Sequence, residues 1–100
     1  MKKLSERIQE ACNSALHEAC VSPLAEGTKR VNVKNLTIAK TRSIQREVIR
    51  FCELSHTAYL ELPSWWKITP EKEYDLIITA QRIWISGGYV MCISFCITWH

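Results

Sequence analysis

The chain has 100 residues, of which 47% are hydrophobic and 23% charged, with five cysteines and a formal net charge of +3. This length predicts one domain over residues 1–100, and the composition excludes a disordered chain. The odd cysteine count, and a charged start without the apolar segment of a secretory signal, predict a cytoplasmic protein with reduced thiols.

Positive charge is concentrated in the first half of the chain. Residues 1–50 carry ten Lys or Arg against five Glu, whereas residues 51–100 carry three against five acidic residues. The densest part is residues 29–50, where seven basic residues accompany a single acid, Glu47. Such a segment can contact nucleic acid or an acidic protein surface.

The first predicted element is a helix over residues 4–20, because its apolar side chains recur every three or four residues. This stripe consists of Leu4, Ile8, Cys12, Ala15 and Ala19. Residues 28–40 are ambiguous. Val31 and Val33 alternate with polar residues, which suggests a short strand that either continues or gives way to the next helix.

The second predicted helix covers residues 41–61 and ends before Pro63, because the residue before a proline disfavours helix. Its apolar side is formed by Ile44, Val48, Phe51, Ser55, Ala58 and Leu62. On the other side Arg42, Arg46 and Arg50 repeat every four residues. This repeat is typical of a solvated face, and it is also suited to binding phosphates or carboxylates through the planar guanidinium groups.

A third helix is predicted from Pro70 to about Ser86. Thr69 is a suitable N-cap, and proline is favoured at the first helical position. Gly87-Gly88 would end the helix. The side chains expected to face inward are Tyr74, Ile77, Ile78, Gln81, Trp84 and Ile85.

The tail from Tyr89 to Trp99 alternates strictly between large apolar and smaller residues, which predicts a strand. Its only predicted internal partner lies near residues 30–38, so the sheet would be very small or completed by another protein. The predicted fold class is therefore an α-rich α+β fold: about three helices plus a C-terminal β-strand in a single small domain.

Catalytic and metal-binding patterns have little support. His17 with Cys20, and Cys52 with His56, share helical faces and could together supply four zinc ligands. Zinc modules usually have closer Cys pairs, and cysteine is commonly a small buried hydrophobe. No phosphate loop or nucleophile elbow is present. We therefore expect no enzyme, no cofactor and no metal.

Residues 83–99 contain no charged side chain, and Trp84 and Trp99 lie near their ends. This length and these tryptophans also suit a membrane-associated segment. The strict alternation and Gly87-Gly88 argue against a spanning helix, so we expect no membrane and keep anchoring by residues 83–99 as an alternative.

Trp65 and Trp66 stand side by side in a predicted loop. Adjacent residues cannot both point the same way, so one can anchor the loop in the core while the other is offered to a partner. An exposed tryptophan beside Lys67 has the composition of an interface hot spot, although packing of both rings is an equal alternative. Pro70 adds an X-Pro bond whose isomer a partner could select.

The whole chain resembles the small anti-RecBCD proteins of lambda-like phages. The likeness rests on the Met1-Lys-Lys-Leu-Ser-Glu-Arg7 opening, the Ser64-Trp-Trp-Lys-Ile-Thr-Pro-Glu71 loop and the cysteine-rich, sheet-like tail. It implies a protein without enzymatic activity that binds the host RecBCD nuclease-helicase through its RecC subunit and alters the processing of DNA ends. It also implies a link to a host peptidyl-prolyl isomerase.

The resemblance transfers no contact residues. The expected partner-binding residues therefore come from the residue patterns, namely Trp65, Trp66, Lys67 and Pro70, supplemented by Arg42, Arg46 and Arg50. A small DNA-binding regulator that uses the three arginines remains the other alternative.

Overall fold

The computed structural model describes residues 2–62 and 73–99. In chain order the elements are α1 (Leu4–Val21), β1 (Glu26–Val33), α2 (Ile38–Ser55), β2 (Ala58–Tyr59), β3 (Tyr74–Ile85) and β4 (Gly88–Trp99). The four strands form one mixed sheet in the order β1-β3-β4-β2. β3 is antiparallel to both β1 and β4, and the short β2 is parallel to β4.

The predicted fold of about three helices plus one strand is wrong. The described residues form two helices and a four-stranded sheet, and within the segment predicted as a third helix Tyr74–Ile85 is the strand β3. Its buried side chains alternate with a period of two, as in Tyr74, Leu76, Ile78 and Ala80. This isoleucine-rich segment has apolar residues at both helical and strand spacings, so its pattern does not distinguish the two. Long antiparallel pairing on both sides stabilises the strand.

The first helix agrees with its prediction. Residues Leu4–Val21 are helical, and the buried side chains are Ile8, Ala11, Cys12, Ala15 and Ala19. Ser22 ends the helix, with its N–H bonded to the Glu18 carbonyl. The predicted strand around Val31 and Val33 is also present as β1, and both valines are buried.

The second helix is present but ends earlier than predicted. Thr37 is its N-cap, because the hydroxyl accepts a hydrogen bond from the Lys40 N–H at 3.1 Å. His56 adopts a left-handed conformation and ends the helix seven residues before Pro63. Ala58 therefore lies in β2, where it pairs with Cys92 of β4.

The predicted C-terminal strand is present as β4, and its pairing is internal. β3 lies along one side over its full length, and β2 joins the other side at Ala58 and Tyr59. The predicted pairing of this strand with residues near 30–38 is wrong, because the strand in that region, β1, pairs with β3.

Both helices pack on the same face of the sheet and form one core with it. α1 contacts β1 and β3, α2 contacts β4 and β2, and the helices contact each other. The sheet contributes Val31, Val33, Leu76, Ile78, Ile93 and Phe95, among other residues. Because side chains alternate along a strand, Asp75, Cys92 and Ser94 lie on the opposite face, where all three are buried.

Candidate interaction surface

The predicted anchor loop of Trp65, Trp66, Lys67 and Pro70 lies outside the described residues, as does Pro63. The predicted roles of these residues therefore stay predictions.

Arg42, Arg46 and Arg50, here called the arginine row, lie on the solvent-exposed side of α2. The opposite side of the helix is anchored in the core by Ile44, Val48, Phe51 and Cys52. Successive members of the row are four residues apart, so they are neighbours on the helix surface. Arg46 Nε lies 3.4 Å from the Arg42 carbonyl oxygen.

The arginine row has an open, positive outer surface. The ion pairs found among the described residues are Lys2–Glu10, Lys29–Glu18 and Arg30–Asp75, and none involves the row. Arg50 borders a cleft of about 470 Å³ together with Glu6 and Glu47. Glu47 is also hydrogen-bonded to Gln9 of α1 at 3.0 Å. Arg42 and Arg46 can therefore contact an anion, whereas Arg50 lies near acidic residues.

A second surface lies at the end of the β3–β4 hairpin. The β1–β3 ladder ends at the Glu26–Gln81 pair, with one further hydrogen bond from the Arg82 N–H to the Ala25 carbonyl, and beyond Arg82 β3 and β4 continue as a two-stranded ribbon. Ser86 and Gly87 form its two-residue turn with φ values of 30° and 94°. Positive φ at both central residues is characteristic of the tight turns that match strand twist, which explains a glycine at this position.

Three side chains form a cluster on one face of this ribbon, which we call the ribbon tip (Arg82, Trp84 and Tyr89). Trp84 and Tyr89 are directly paired, with ring centroids 4.9 Å apart and planes at 77°. The guanidinium carbon of Arg82 lies 4.8 Å from the Tyr89 ring centroid. Edge-to-face and cation–π contacts of this kind each contribute about 1 kcal/mol. The cluster is therefore ordered by its own contacts.

The ribbon tip is exposed despite its aromatic content. Trp84 is 62% and Tyr89 64% exposed, and the neighbouring Ile85 is 48% exposed. Trp, Tyr and Arg are the residues most enriched at energetic hot spots of protein interfaces. A pre-ordered cluster of all three loses little side-chain entropy on binding. Its composition and exposure are those of a protein-binding surface.

The prediction that Trp84 and Ile85 face inward on a helix is wrong, because both are exposed on β3. A usable signal was present in the sequence. A Ser-Gly pair separates an apolar segment from an alternating one, as expected for a hairpin with a two-residue loop. Folding about that turn places Trp84 opposite Tyr89.

Three of the five cysteines are placed for packing. Cys12, Cys52 and Cys92 are buried, and all five cysteines are free thiols. Burial raises the pKa of Cys12 to about 12, and it also raises the pKa of Cys52. A protonated thiol is a weak nucleophile and a poor metal ligand, which disfavours Cys52 with His56 as a reactive pair.

At pH 8 we expect the exposed Cys20 to react fastest, the half-buried Cys96 more slowly, and the three buried thiols slowest. Cys20 is exposed, whereas at this pH a thiol with the pKa of Cys12 is thiolate in only about 1 molecule in 10⁴. The measurement is the time course of reaction with a chromogenic disulfide, in native buffer and in denaturant. Cys20→Ser should remove the fast phase, and a fast phase of several thiols would contradict the buried positions.

Within the described residues, no group of three or more His, Cys, Asp and Glu side chains is arranged to hold a metal ion. Neither described helix has the length and apolar character needed to cross a membrane. Residues 83–99, the segment of the membrane alternative, belong to β3, its turn and β4. Comparison with protein-family models, curated proteins and solved structures finds no match to this chain.

Proposed function

We propose that this protein acts by binding a larger protein through the ribbon tip, without catalysis of its own. The observation that carries this proposal is the exposed Arg82–Trp84–Tyr89 cluster, which lies on the part of the β3–β4 hairpin that extends past β1. The arginine row supplies positive charge that would speed the encounter with an acidic surface. The predicted loop around Trp65 and Trp66 would add a further anchor.

The specific partner that we propose is the host RecBCD nuclease-helicase, contacted through RecC in the cytoplasm of the host cell. This choice rests on the resemblance of the whole chain to phage anti-RecBCD proteins. Binding would modulate the processing of DNA ends by occupying a protein surface. A host peptidyl-prolyl isomerase is proposed as an additional partner through Pro63 or Pro70.

The test measures the affinity of the chain for purified RecBCD by biolayer interferometry. We expect the Trp84→Ala/Tyr89→Ala variant to bind at least about a hundredfold more weakly, because truncating a hot-spot residue costs about 2 kcal/mol or more. Ile38→Ala is a matched control, since Ile38 is 66% exposed at the start of α2. Circular dichroism should show that all variants are folded.

Each result decides a separate part of the proposal. If the wild-type chain does not bind RecBCD, the partner is wrong. If it binds and the Trp84→Ala/Tyr89→Ala variant binds equally well, the ribbon tip is wrong, and Trp65→Ala/Trp66→Ala in the same assay tests the predicted loop.

A second candidate function is DNA binding, which the exposed arginine row favours because none of its members forms an ion pair within the described residues. Affinity for duplex DNA without any protein partner, falling steeply with salt, would replace the protein-binding proposal by this one.

A further inference from the structure

The outer edge of β1 presents hydrogen-bonding groups in a regular alternation. The Ala25 carbonyl accepts from the Arg82 N–H at 3.2 Å, which makes these opposed residues a hydrogen-bonded pair of the antiparallel ladder. Every second residue from Gly27 to Val33 therefore bonds to β3. The residues between them turn their N–H and C=O groups outward. They are Glu26, Thr28, Arg30 and Asn32.

Side chains of α1 cap this edge at two points and leave the part between them open. Arg7 Nη2 donates to the Asn32 carbonyl at 2.9 Å. The Glu18 carboxylate accepts a hydrogen bond from the Thr28 N–H. Between these caps, four groups have no hydrogen-bond partner among the residues that the structure describes. They are the Thr28 C=O, the Arg30 N–H and C=O, and the Asn32 N–H.

A basic cleft of about 380 Å³ adjoins the end of this edge, and its charged lining residues are Arg7, Lys34 and Lys40. Lys40 Nζ donates to the Lys34 carbonyl at 3.1 Å, and Arg7 donates to the Asn32 carbonyl. The partners of both cations are therefore neutral carbonyls. Since no acidic residue is among the described residues that line the cleft, its three positive charges are uncompensated there.

These two features select the chemistry of the occupant. An open strand edge binds an extended peptide through its main chain, and side chains supply the specificity. Three uncompensated cations at one end call for carboxylates. A second copy of this chain is disfavoured, because antiparallel pairing of two β1 edges centred on the open Arg30 would oppose two arginines.

We propose that the outer edge of β1 binds an extended acidic segment of another protein as a fifth strand, with carboxylates of that segment in the basic cleft. This goes beyond the proposed function, because it assigns a different surface and a different recognition chemistry from those of the ribbon tip. It does not depend on the identity of the partner.

The test uses the whole ¹⁵N-labelled chain and a blocked peptide of alternating threonine and glutamate, about ten residues long. Amide hydrogen exchange is followed by NMR with and without saturating peptide. We expect exchange of the Arg30 amide to slow by at least about tenfold, because it gains a hydrogen bond. The Lys29 and Val31 amides, which already bond to β3, should be unaffected and serve as internal controls.

Two further peptides separate strand addition from simple charge attraction. One has lysine in place of glutamate. The other keeps glutamate but has proline in place of threonine, which removes every second main-chain donor and disrupts regular strand pairing. Both should bind at least about tenfold more weakly than the threonine–glutamate peptide. The Lys34→Ala/Lys40→Ala variant should lose affinity for the acidic peptide to a similar extent.

Equal binding of the proline-containing acidic peptide would overturn the proposal, as would an unprotected Arg30 amide at saturation. Displacement of the peptide by duplex DNA, combined with tighter binding of that DNA to the basic cleft, would also overturn it in favour of phosphate recognition. None of these results alters the RecBCD affinity of the Trp84→Ala/Tyr89→Ala variant, so the two proposals fail separately.

Discussion

Gly27→Ala is expected to lower the free energy of unfolding by about 3 kcal/mol, at the upper end of the cost of overpacking a tight site. A Cβ at Gly27 would lie 2.2 Å from the Ala15 carbonyl oxygen and 2.9 Å from the Ala19 nitrogen. Both contacts are to the α1 backbone, so the helix must move away from β1. For a chain of this size, the melting temperature should fall by about 15 °C.

Gly88→Ala is the matched control, because a Cβ there has no neighbour within 4 Å. This variant should change the free energy of unfolding by less than about 0.5 kcal/mol. Urea denaturation followed by circular dichroism measures both variants. Equal stability of the two variants would show that α1 does not approach β1 at Gly27 as closely as described.

Ile78→Ala should be the most destabilising of the simple truncations, at about 4 kcal/mol. Ile78 is 0% exposed and lies in β3 between β1 and β4, where its partners are Lys29 and Phe95. Removing three carbons leaves a cavity that two flanking strands prevent from collapsing. Urea denaturation at a fixed temperature is the measurement, with the m-value checked for constancy.

The same substitution at Ile85 is the control, and it also distinguishes the strand from the helix predicted for these residues. A helix would place Ile78 and Ile85 on the same inward face, so both substitutions would be costly. In β3, Ile85 is 48% exposed beside the turn, and Ile85→Ala should cost less than about 1 kcal/mol. Similar costs at the two positions would argue for the helix.

The two proposed surfaces are separate: the ribbon tip lies on β3 and β4, and the open edge lies on β1. The ribbon tip begins at Arg82, where the hydrogen bonds between β1 and β3 end. The open edge spans residues 28–32 of β1, and the basic cleft adjoins the end of β1 at Val33. A partner could use either surface alone, and for this reason the affinity test and the exchange test are designed to be independent.

Local sequence determined the elements whose pattern has one interpretation. The stripe through Ile8, Cys12 and Ala15 repeats only at helical spacing, and α1 follows it closely. The alternation after Gly88 repeats only at strand spacing, and β4 follows that pattern. The arginine row could likewise be predicted, because residues four apart on an amphipathic helix share a face opposite its apolar stripe.

Tertiary structure alone decided the remaining features. The Tyr74–Ile85 segment suits both spacings, and pairing with β1 and β4 selects the strand, because its main-chain groups then bond on both sides. That choice turned Trp84 from a core residue into part of an exposed cluster with Arg82 and Tyr89. The outward groups of Arg30 depend on the same register. Pairing between strands that are distant in the sequence sets which face and which edge each residue occupies. The pattern within one segment does not specify that register.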